Sequence, residues 1–458
     1  MIVKSLYNLK ISKNILLLCE KQSFLRTFSM KSPLHPFSCF LATCVIFFLV
    51  GVRATAQVFS ITTCPAEHTD TAMNVSFATD TTQQCVQLEL TTVQDRDWKK
   101  SMVYQCIGER CTTFDGVYSK TADGRDFYED AIFTKYHVTL EHLQPDTRYK
   151  YRFLDGQVHY FTTSGAKRWE ACIISDFHVY SPLYGRTQAA MQMIRTVEEF
   201  RPFDWILHLG DVTAWGGSYT FWRDLYTEEP FRQYMWAGVN GNHDNMTRQY
   251  LRTCHDFFRD AAAYPRNGYV GEEGVCYYFL YGDVLFIMLN NEAMKDEAGL
   301  HAAQQWVRQV VQENPARYQV VCQHYQWFYG TDGQASEYAR WSVLFDELGI
   351  DLALAGNNHI YVRTPALYQD SVLTPEQSRA TGKGTVYVQT PSSDNERGQE
   401  VDLSLPLENN VDKIAFRWAE GPQTVGAMHL TVSPKKMNLT LLNRQGEVID
   451  VTTVYPDL

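Results

Sequence analysis

Two patterns of apolar and polar positions divide the chain near residue 165. From about Phe59 to Gly165, short alternating runs such as CVQLELTTV and RYKYRFL are separated by turn residues, and no long helical pattern occurs. Short strands repeated at such intervals are typical of a small antiparallel β-sandwich. The pattern therefore predicts an N-terminal sandwich over residues 57–165.

Beyond that point, apolar runs alternate with segments of helical periodicity, which indicates layered α/β architecture over residues 166–458. Six runs are typical of buried strands: ACIIS, DWILHL, YMWAGV, DVLFIML, YQVVCQ and DLALAG. Three helix faces are predicted: Met191, Ile194, Val197 and Phe200; Trp306, Val307, Val310 and Val311; and Trp341, Leu344, Phe345 and Leu348. Residues 425–454 alternate again and predict a β-hairpin that closes this domain.

The N-terminus has the features of an export signal. After Met30, a weakly basic stretch precedes the apolar block CFLATCVIFFLVGV, which ends at Ala54-Thr55-Ala56. This is the order of a secretory signal peptide. A retained anchor is the alternative, but the block is short for a bilayer core of about 30 Å. We expect a leader over residues 1–56, with the signal peptide at 30–56, and a secreted protein, extracellular or periplasmic, with no stable membrane span.

Charge and cysteine content narrow the possible partners and compartments. The formal net charge is −11, and no basic stripe is present to neutralise nucleic-acid phosphates, so we expect no nucleic-acid partner. Eight of the eleven cysteines follow the leader, which suits an oxidising compartment. Proximity along the chain suggests three disulfides, Cys64–Cys85, Cys106–Cys111 and Cys254–Cys276. Cys172 and Cys322 lie in apolar runs and are expected to be free, buried thiols.

Five groups of polar residues stand where predicted strands of the α/β part end. Ligands of open α/β sheets gather at the carboxyl ends of strands, so we expect these groups to converge. The groups occupy residues 175–178, 210–211, 241–244, 324–325 and 356–359. They contain the candidate metal ligands Asp176, His178, Asp211, Asn242, His324 and His359.

These residue types suit the hydrolysis of a phosphate ester with two metal ions. Two ions about 3.5–4 Å apart activate a nucleophile and neutralise the phosphoryl oxygens, and carboxylate, imidazole and amide groups are suitable ligands. Asp176 and His178 would share a face if strand geometry continued to them, and Asp211 can bridge both ions. With Asn242 as a ligand of the second ion, His243 is free to act as an acid, and Asp244 is the candidate to hold it.

The motifs D-x-H, G-D, G-N-H-D, H and G-x-x-H occur in an order that resembles the calcineurin-like metallophosphoesterase superfamily, over about residues 168–395. VTLEHLQPDTRYKYRF and HYFTTSG resemble the end of a fibronectin type III-like domain. With this sandwich, LHAAQQWV, GTVYVQT and the closing hairpin, the chain looks most like the purple acid phosphatase branch. The resemblance implies an α/β four-layer sandwich of two β-sheets flanked by helices, and two metal ions, divalent or mixed-valence (Fe, Mn or Zn).

The chain departs from the purple branch at three positions. That branch has an iron-binding tyrosine where Ala214 stands, and a glycine where His178 stands, so His178 is expected to take the place of the tyrosine at metal 1. Where the family has G-H-x-H, this chain has Asn357 in place of a histidine that binds metal 2. Asn357 is either a ligand or a spectator; because an amide is a weaker donor than imidazole for a borderline metal, we expect metal 2 to bind more loosely.

The resemblance implies an acid phosphatase-like enzyme that hydrolyses phosphate monoesters, by in-line attack on phosphorus with His243 donating the leaving-group proton. One alternative is a phosphodiesterase acting on nucleotides or lipid headgroups, with specificity set by aromatic residues in the loops Thr213–Phe231 and Tyr325–Gln334. The other alternative is a binding or adhesion protein whose metal site has decayed. It is suggested by Asn357, which replaces a metal-binding histidine of the family.

Overall fold

The computed structural model describes residues 57–456, except residues 81–84, 121–125, 154–155, 182, 248–255, 329–336, 395–410 and 422–423. The leader lies outside the described residues. None of the described helices has the length and apolar character needed to cross a membrane.

The N-terminal part consists of two four-stranded antiparallel sheets, as the alternating runs predict. One has the strand order β1-β2-β6-β5 and the other β4-β3-β7-β8. Residues on facing sides, including Val75, Phe77, Leu88 and Tyr151, are almost fully buried. The strands are β1 (Phe59–Pro65), β2 (Met73–Thr79), β3 (Cys85–Thr92), β4 (Met102–Ile107), β5 (Glu109–Lys120), β6 (Asp126–Leu140), β7 (Arg148–Arg152) and β8 (Val158–Thr162).

The cysteines of this part are not paired as expected. Cys64 is buried on β1, whereas Cys85 is exposed at the start of β3 in the other sheet. Cys106 on β4 and Cys111 on β5 also belong to different sheets, and Cys64, Cys106 and Cys111 are free thiols. Proximity along the chain was therefore the wrong criterion, because the chain changes sheets between the cysteines of each pair. The third expected pair involves Cys254, which lies outside the described residues.

The remaining strands form two mixed sheets, and all six predicted buried strands are present among them. These strands are β9 (Trp169–Ile174), β10 (Trp205–His208), β11 (Met235–Gly238), β12 (Tyr277–Tyr281), β13 (Val284–Met288), β14 (Tyr318–Cys322), β15 (Leu352–Ala355), β16 (Tyr361–Tyr368), β17 (Ser371–Val372), β18 (Thr385–Gln389), β19 (Phe416–Trp418), β20 (Gly426–Ser433), β21 (Lys436–Asn443) and β22 (Val448–Val454).

Each sheet has a parallel section buried on both faces, which explains the continuous apolar runs. The first sheet has the order β11-β10-β9-β20-β21-β22, with β9, β10 and β11 parallel. The second has the order β12-β13-β14-β15-β18-β16-β17, with β19 beside β16 and with β13, β14, β15 and β18 parallel. The antiparallel strand β20 lies directly beside β9. The predicted closing hairpin is thus a three-stranded extension that completes the first sheet.

The helices cover these sheets with the predicted apolar faces. Val197, Val307 and Phe345 are fully buried, whereas Phe200, at the last turn of its helix, is 38% exposed. The helices are α1 (Arg186–Phe200), α2 (Tyr219–Leu225), α3 (Pro230–Gln233), α4 (Asp256–Ala261), α5 (Glu297–Glu313), α6 (Tyr338–Leu348) and α7 (Pro375–Thr381). Among the described residues, short 3₁₀ helices occupy His243–Asn245, Asn291–Met294 and Val411–Lys413.

The sandwich supports the α/β part through α2. The carboxylate of Asp115 on β5 accepts hydrogen bonds from the backbone amide and the hydroxyl of Thr220, at 2.9 and 2.7 Å. It thereby satisfies an amide at the start of α2 that the helix itself leaves unpaired. The ring of Tyr219 stacks on Phe133 of β6 with centroids 4.4 Å apart. These contacts fix the helix that follows residues 211–217 of the candidate site.

Candidate metal centre

The five groups of polar residues follow five strands of the two sheets. Asp176 follows β9, Asp211 follows β10, and Asn242 and His243 follow β11 in the first sheet. The groups that contain His324 and His359 follow β14 and β15 in the second sheet. The site is therefore built at the carboxyl ends of strands from both sheets.

The backbone at this site is left-handed rather than extended. Asp176, His178 and Asp211 have φ values of 55°, 47° and 51°, and Asn357 and His359 have φ values of 68° and 57°. Such conformations are uncommon for residues other than glycine and cluster at functional sites. The expectation that Asp176 and His178 share a strand face is wrong, because β9 ends at Ile174.

Backbone hydrogen bonds hold these turns in place. The amide of Asp176 donates to the carbonyl of Gly210 at 3.0 Å, and the amide of His178 donates to that of Asp211 at 2.9 Å. Gly241 has to be a glycine here, since a Cβ atom would lie 2.2 Å from Oδ1 of Asp211. The loops after β9, β10 and β11 therefore form one tightly packed frame.

Asp211 occupies the centre of the cluster. Its Oδ1 accepts a hydrogen bond from the amide of His243 at 2.8 Å. Its Oδ2 lies 3.3 Å from Nε2 of His178 and 3.2 Å from Nε2 of His324. One carboxylate oxygen thus faces two imidazoles from different sheets, which is the geometry a bridging ligand needs.

The other candidates lie on the two sides of Asp211. Nε2 of His359 is 3.3 Å from Oδ1 of Asp176, and these two residues share a potential metal-binding group with His178, with donor atoms within 4.8 Å of one another. A second such group joins Asp176, Asp211 and His324. Asn357 donates from its side-chain amide to Oε1 of Gln326 and from its backbone to Oδ2 of Asp176.

Several buried atoms of this cluster make no well-aligned hydrogen bond in the described part of the chain, although three of them take part in the close ion pairs given above. A buried polar atom without a partner costs about 1–3 kcal/mol, and metal coordination would remove that cost. Carboxylate, amide and imidazole donors also match the ligands that divalent metals prefer. The residues therefore fit a metal centre. The atoms concerned are Oδ1 of Asp176, Nε2 of His178, Oδ1 of Asn242 and Nε2 of His324.

Electrostatic coupling keeps the cluster strongly polar despite its burial. Burial alone would lower the pKa of His324, but the carboxylates of Asp211 and Asp176 outweigh it and raise this pKa to about 10. Burial alone would raise the pKa of Asp211, yet His324 and His243 hold that pKa well below its usual range. Metal ions would therefore replace protons held by the imidazoles.

His243 is held by a backbone carbonyl and not by Asp244. Its Nδ1 donates to the carbonyl of Ala214 at 2.8 Å, and its ring centroid lies 5.1 Å from that of His178. With Nδ1 engaged, Nε2 is the atom that can exchange a proton. Ala214, which stands where the purple branch has its iron-binding tyrosine, thus contributes through its backbone carbonyl.

The carboxylate of Asp244 joins two loops instead. It accepts hydrogen bonds from the amides of Thr213 and Gly241, both at 3.0 Å. Burial and the nearby charge of Asp211 raise the pKa of Asp244 to about 7. The expected role of Asp244 in holding His243 is therefore replaced by a role in shaping the frame around Asp211.

Sequence reasoning missed Asp394 and Gln326, which touch the candidate ligands. Oδ2 of Asp394 lies 3.1 Å from Nδ1 of His178. Asp394 lies in the polar run that follows β18, so the rule about the carboxyl ends of strands could have identified it. Gln326 offered no such signal, because its contact with Asn357 depends on loop conformation.

Aromatic residues of the predicted specificity loops border the site in part. The ring centroid of Trp215 lies 5.4 Å from that of His243. Tyr325 donates from its hydroxyl to Oε1 of Glu292 at 2.6 Å. The rest of the second loop, from residue 329, lies outside the described residues.

Comparisons with known proteins agree with this geometry. The model of the calcineurin-like phosphoesterase family matches residues 171–361. A purple acid phosphatase, PPD1, from yellow lupin (Lupinus luteus) seeds is similar in structure, with a TM-score of 0.64 and 16% identity over 88% of this chain and 75% of that one. PhoD is similar with a TM-score of 0.53 and 12% identity, over 88% of this chain and 91% of that one.

No curated protein sequence is significantly similar to this chain. At such low identity, the two solved structures establish only the fold, which includes the N-terminal sandwich. The family match covers the segment that carries the strand-end motifs from Asp176 to His359. Residues 171–361 therefore carry a domain of the calcineurin-like phosphoesterase family, within the fold of a purple acid phosphatase.

Proposed function

We propose that this protein is a secreted phosphatase that hydrolyses phosphate monoesters with two metal ions. The observation that carries the proposal is the position of Oδ2 of Asp211 between the Nε2 atoms of His178 and His324, at 3.3 and 3.2 Å. Asp176, His178 and His359 would hold the first ion with Asp211. Asn242 and His324 would hold the second with Asp211, and Asn357 is its candidate fourth ligand.

When bound, the ions activate a water molecule and neutralise the phosphoryl oxygens. The residues of this chain supply orientation and proton transfer. His243, fixed at Nδ1 by the carbonyl of Ala214, can deliver a proton from Nε2 to the leaving-group oxygen. The Asp244 carboxylate keeps the loops after β10 and β11 together, so the His243 ring stays beside Asp211.

Replacing His243 tests the catalytic role. We expect His243→Ala to lower kcat for p-nitrophenyl phosphate by roughly 10²- to 10⁴-fold, the usual contribution of a general acid, with little loss of bound metal. His301→Ala, on the exposed face of α5, is the matched control and should keep full activity. Circular dichroism would show that both variants are folded. Full activity of His243→Ala would remove His243 from the mechanism.

Replacing Asp211 tests the metal centre itself. Asp211→Ala should abolish hydrolysis and reduce the metal content below that of the wild-type protein, for which we expect about two ions per chain by elemental analysis. A wild-type protein without metal after loading would instead support the decayed-site alternative.

A phosphodiesterase remains the second candidate, and the position of Trp215 beside His243 favours it. An indole ring at that distance can stack on an aromatic group of the substrate. Comparison of kcat/KM for p-nitrophenyl phosphate and bis-p-nitrophenyl phosphate, with Mn²⁺, Zn²⁺ or Fe²⁺ added, distinguishes the two functions. A higher value for the diester would replace the monoester proposal.

A further inference from the structure

We infer that Asp394 is the positioning residue that makes His178 a metal ligand, by fixing the tautomer and orientation of its imidazole. The inference rests on the proposed metal-dependent function. It assigns a role to a residue that lies more than 200 positions from His178 in the sequence.

The contacts of His178 determine which nitrogen carries the proton. Its Nδ1 lies 3.1 Å from Oδ2 of Asp394 and 3.1 Å from the backbone carbonyl of Asp176. Both of these oxygens are acceptors, so Nδ1 must be the donor. Nε2, which faces Oδ2 of Asp211 at 3.3 Å, is therefore the nitrogen whose lone pair would bind a metal ion once the ion displaces a proton shared with Asp211. A metal-binding histidine is commonly oriented in this way by a carboxylate on its other nitrogen.

Asp394 itself is held rigidly. The side chains of Asp394 and His178 are both completely buried. The amide of Asp394 donates to the hydroxyl of Ser392 at 3.2 Å, and that hydroxyl donates to the carbonyl of Asp176 at 2.9 Å. The amide of Ser393 donates to the carbonyl of Ser175 at 2.9 Å. The segment after β18 is thus tied directly to the turn that carries His178.

Arg186 compensates the buried charge of this carboxylate. Its Nε lies 3.9 Å from Oδ2 of Asp394, and its guanidinium also donates to the carbonyl of His178 at 3.2 Å. Arg186 is the first residue of α1 and is only 12% exposed. Burying a carboxylate costs free energy unless it is paired and hydrogen-bonded. Arg186 provides that pairing for Asp394, and Asp394 in turn holds the ring of His178.

The turn that carries His178 fixes its backbone but leaves the direction of its ring to side-chain contacts. The residue lies beyond the end of β9, in a turn with φ of 47°, so no strand fixes the direction of its side chain. Without Asp394, the carbonyl of Asp176 would still accept from Nδ1 at 3.1 Å, but the ring would lose the carboxylate that holds it in place. A misoriented ring would weaken the first metal site without unfolding the protein.

The test is the metal affinity of Asp394→Asn. An asparagine keeps the shape but removes the negative charge, and it leaves one amide oxygen, a weaker acceptor than a carboxylate, to receive the proton of Nδ1. We expect Mn²⁺ and Zn²⁺ to bind the first site roughly 10- to 100-fold more weakly, as measured by calorimetry and chelator competition. Excess metal should restore kcat. The matched control Asp412→Asn, in a 3₁₀ helix at residues 411–413, should bind metal like the wild type.

A double-mutant cycle separates positioning from general structure. In a His178→Ala background, Asp394→Asn should cause no further loss of affinity, because its effect acts through the missing ring. An equal loss in both backgrounds, or wild-type affinity of Asp394→Asn, would overturn the inference. If Asp394→Asn does not fold, ¹⁵N NMR of the metal-loaded wild type replaces it as the test. The imidazole signals of His178 are assigned by their absence from the spectrum of His178→Gln. The inference requires that Nδ1 of His178 carries the proton.

The two proposals fail in distinguishable ways. If the wild type binds two ions but hydrolyses neither monoesters nor diesters, the enzymatic function fails while the affinity cycle still tests Asp394. If the wild type is active and Asp394→Asn binds metal normally, only the role of Asp394 fails.

Discussion

At the scale of single residues, Asn357 would determine how the proposed second ion is held. Its side-chain amide hydrogen donates to Gln326, which leaves its oxygen as the only donor it can offer a metal. With Asn242, the proposed second site would then offer two amide oxygens beside one imidazole and the bridging carboxylate. Such an oxygen-rich set favours a harder ion such as Mn²⁺ over Zn²⁺.

Asn357→His should therefore tighten Zn²⁺ binding at the second site. We expect about a tenfold gain in affinity, equivalent to about 1.4 kcal/mol, by calorimetry. Gln309→His, on the exposed side of α5, controls for the added imidazole and should have no effect. Unchanged affinity for Zn²⁺ in Asn357→His would show that residue 357 is a spectator.

The sequence identified these residues because strand-end motifs appear directly in the order of amino acids. It could not reveal that Asp176 and His178 adopt left-handed turns, since that conformation depends on hydrogen bonds to residues after β10. For the same reason, the contact of His243 with the carbonyl of Ala214 was not predictable, because a backbone carbonyl has no signature in the side-chain pattern.

At the scale of elements, the packing of β8 against α3 leaves a histidine in an unusual environment. His159 on β8 is 1% exposed, and its ring stacks on that of Tyr151 with centroids 5.1 Å apart. Neither ring nitrogen has a hydrogen-bond partner among the residues described. Burial, together with the charge of Arg232 on α3, lowers the pKa of His159 to about 4.

This environment predicts a loss of stability in acid. An unfolded histidine has a pKa of about 6.5, so the unfolded state binds more protons than the folded state between pH 6.5 and 4. Stability should fall as pH decreases through this window, by on the order of 2–3 kcal/mol.

His159→Phe should abolish this part of the pH dependence, as measured by urea unfolding at several pH values. His301→Phe is the control for an exposed histidine. If the stability of the wild type and of His159→Phe changes in parallel with pH, His159 is not the group responsible.

The strands and helices themselves were largely predictable, because their apolar periodicities survive in the sequence. All six buried runs became strands. The pairing of β20 with β9 was not predictable, since more than 250 residues separate Ala171 from its partner Leu430 and no local pattern encodes their contact. The disulfide expectations failed for the same reason, as neighbours in sequence belong to different sheets.

At the scale of the whole molecule, the candidate metal centre is built from both mixed sheets. Asp211 comes from the first sheet and His324 from the second, so an ion held by both connects the halves of the α/β part. Metal binding should therefore stabilise the entire fold, because the unfolded chain has no comparable site.

Removal of metal should lower the Tm of the protein. At a metal concentration 100 times the Kd, binding contributes about 2.7 kcal/mol, so treatment with a chelator should cause a shift of several degrees in calorimetry. Asp211→Ala should already have the lower Tm and respond little to the chelator. A wild-type Tm that is the same with and without metal would contradict a link between the two sheets.

The insertion of β20 beside β9 also has a consequence for biosynthesis. The strand that leads to Asp176 is made early, but one of its two neighbours in the sheet belongs to residues 426–433. The ribosome must therefore synthesise almost the entire chain before β20 can pair with β9. Until then, one edge of β9 has no partner strand from this sheet. The order of translation thus delays completion of the first sheet. A metal ion that binds only to the completed sheet would bind late in biosynthesis.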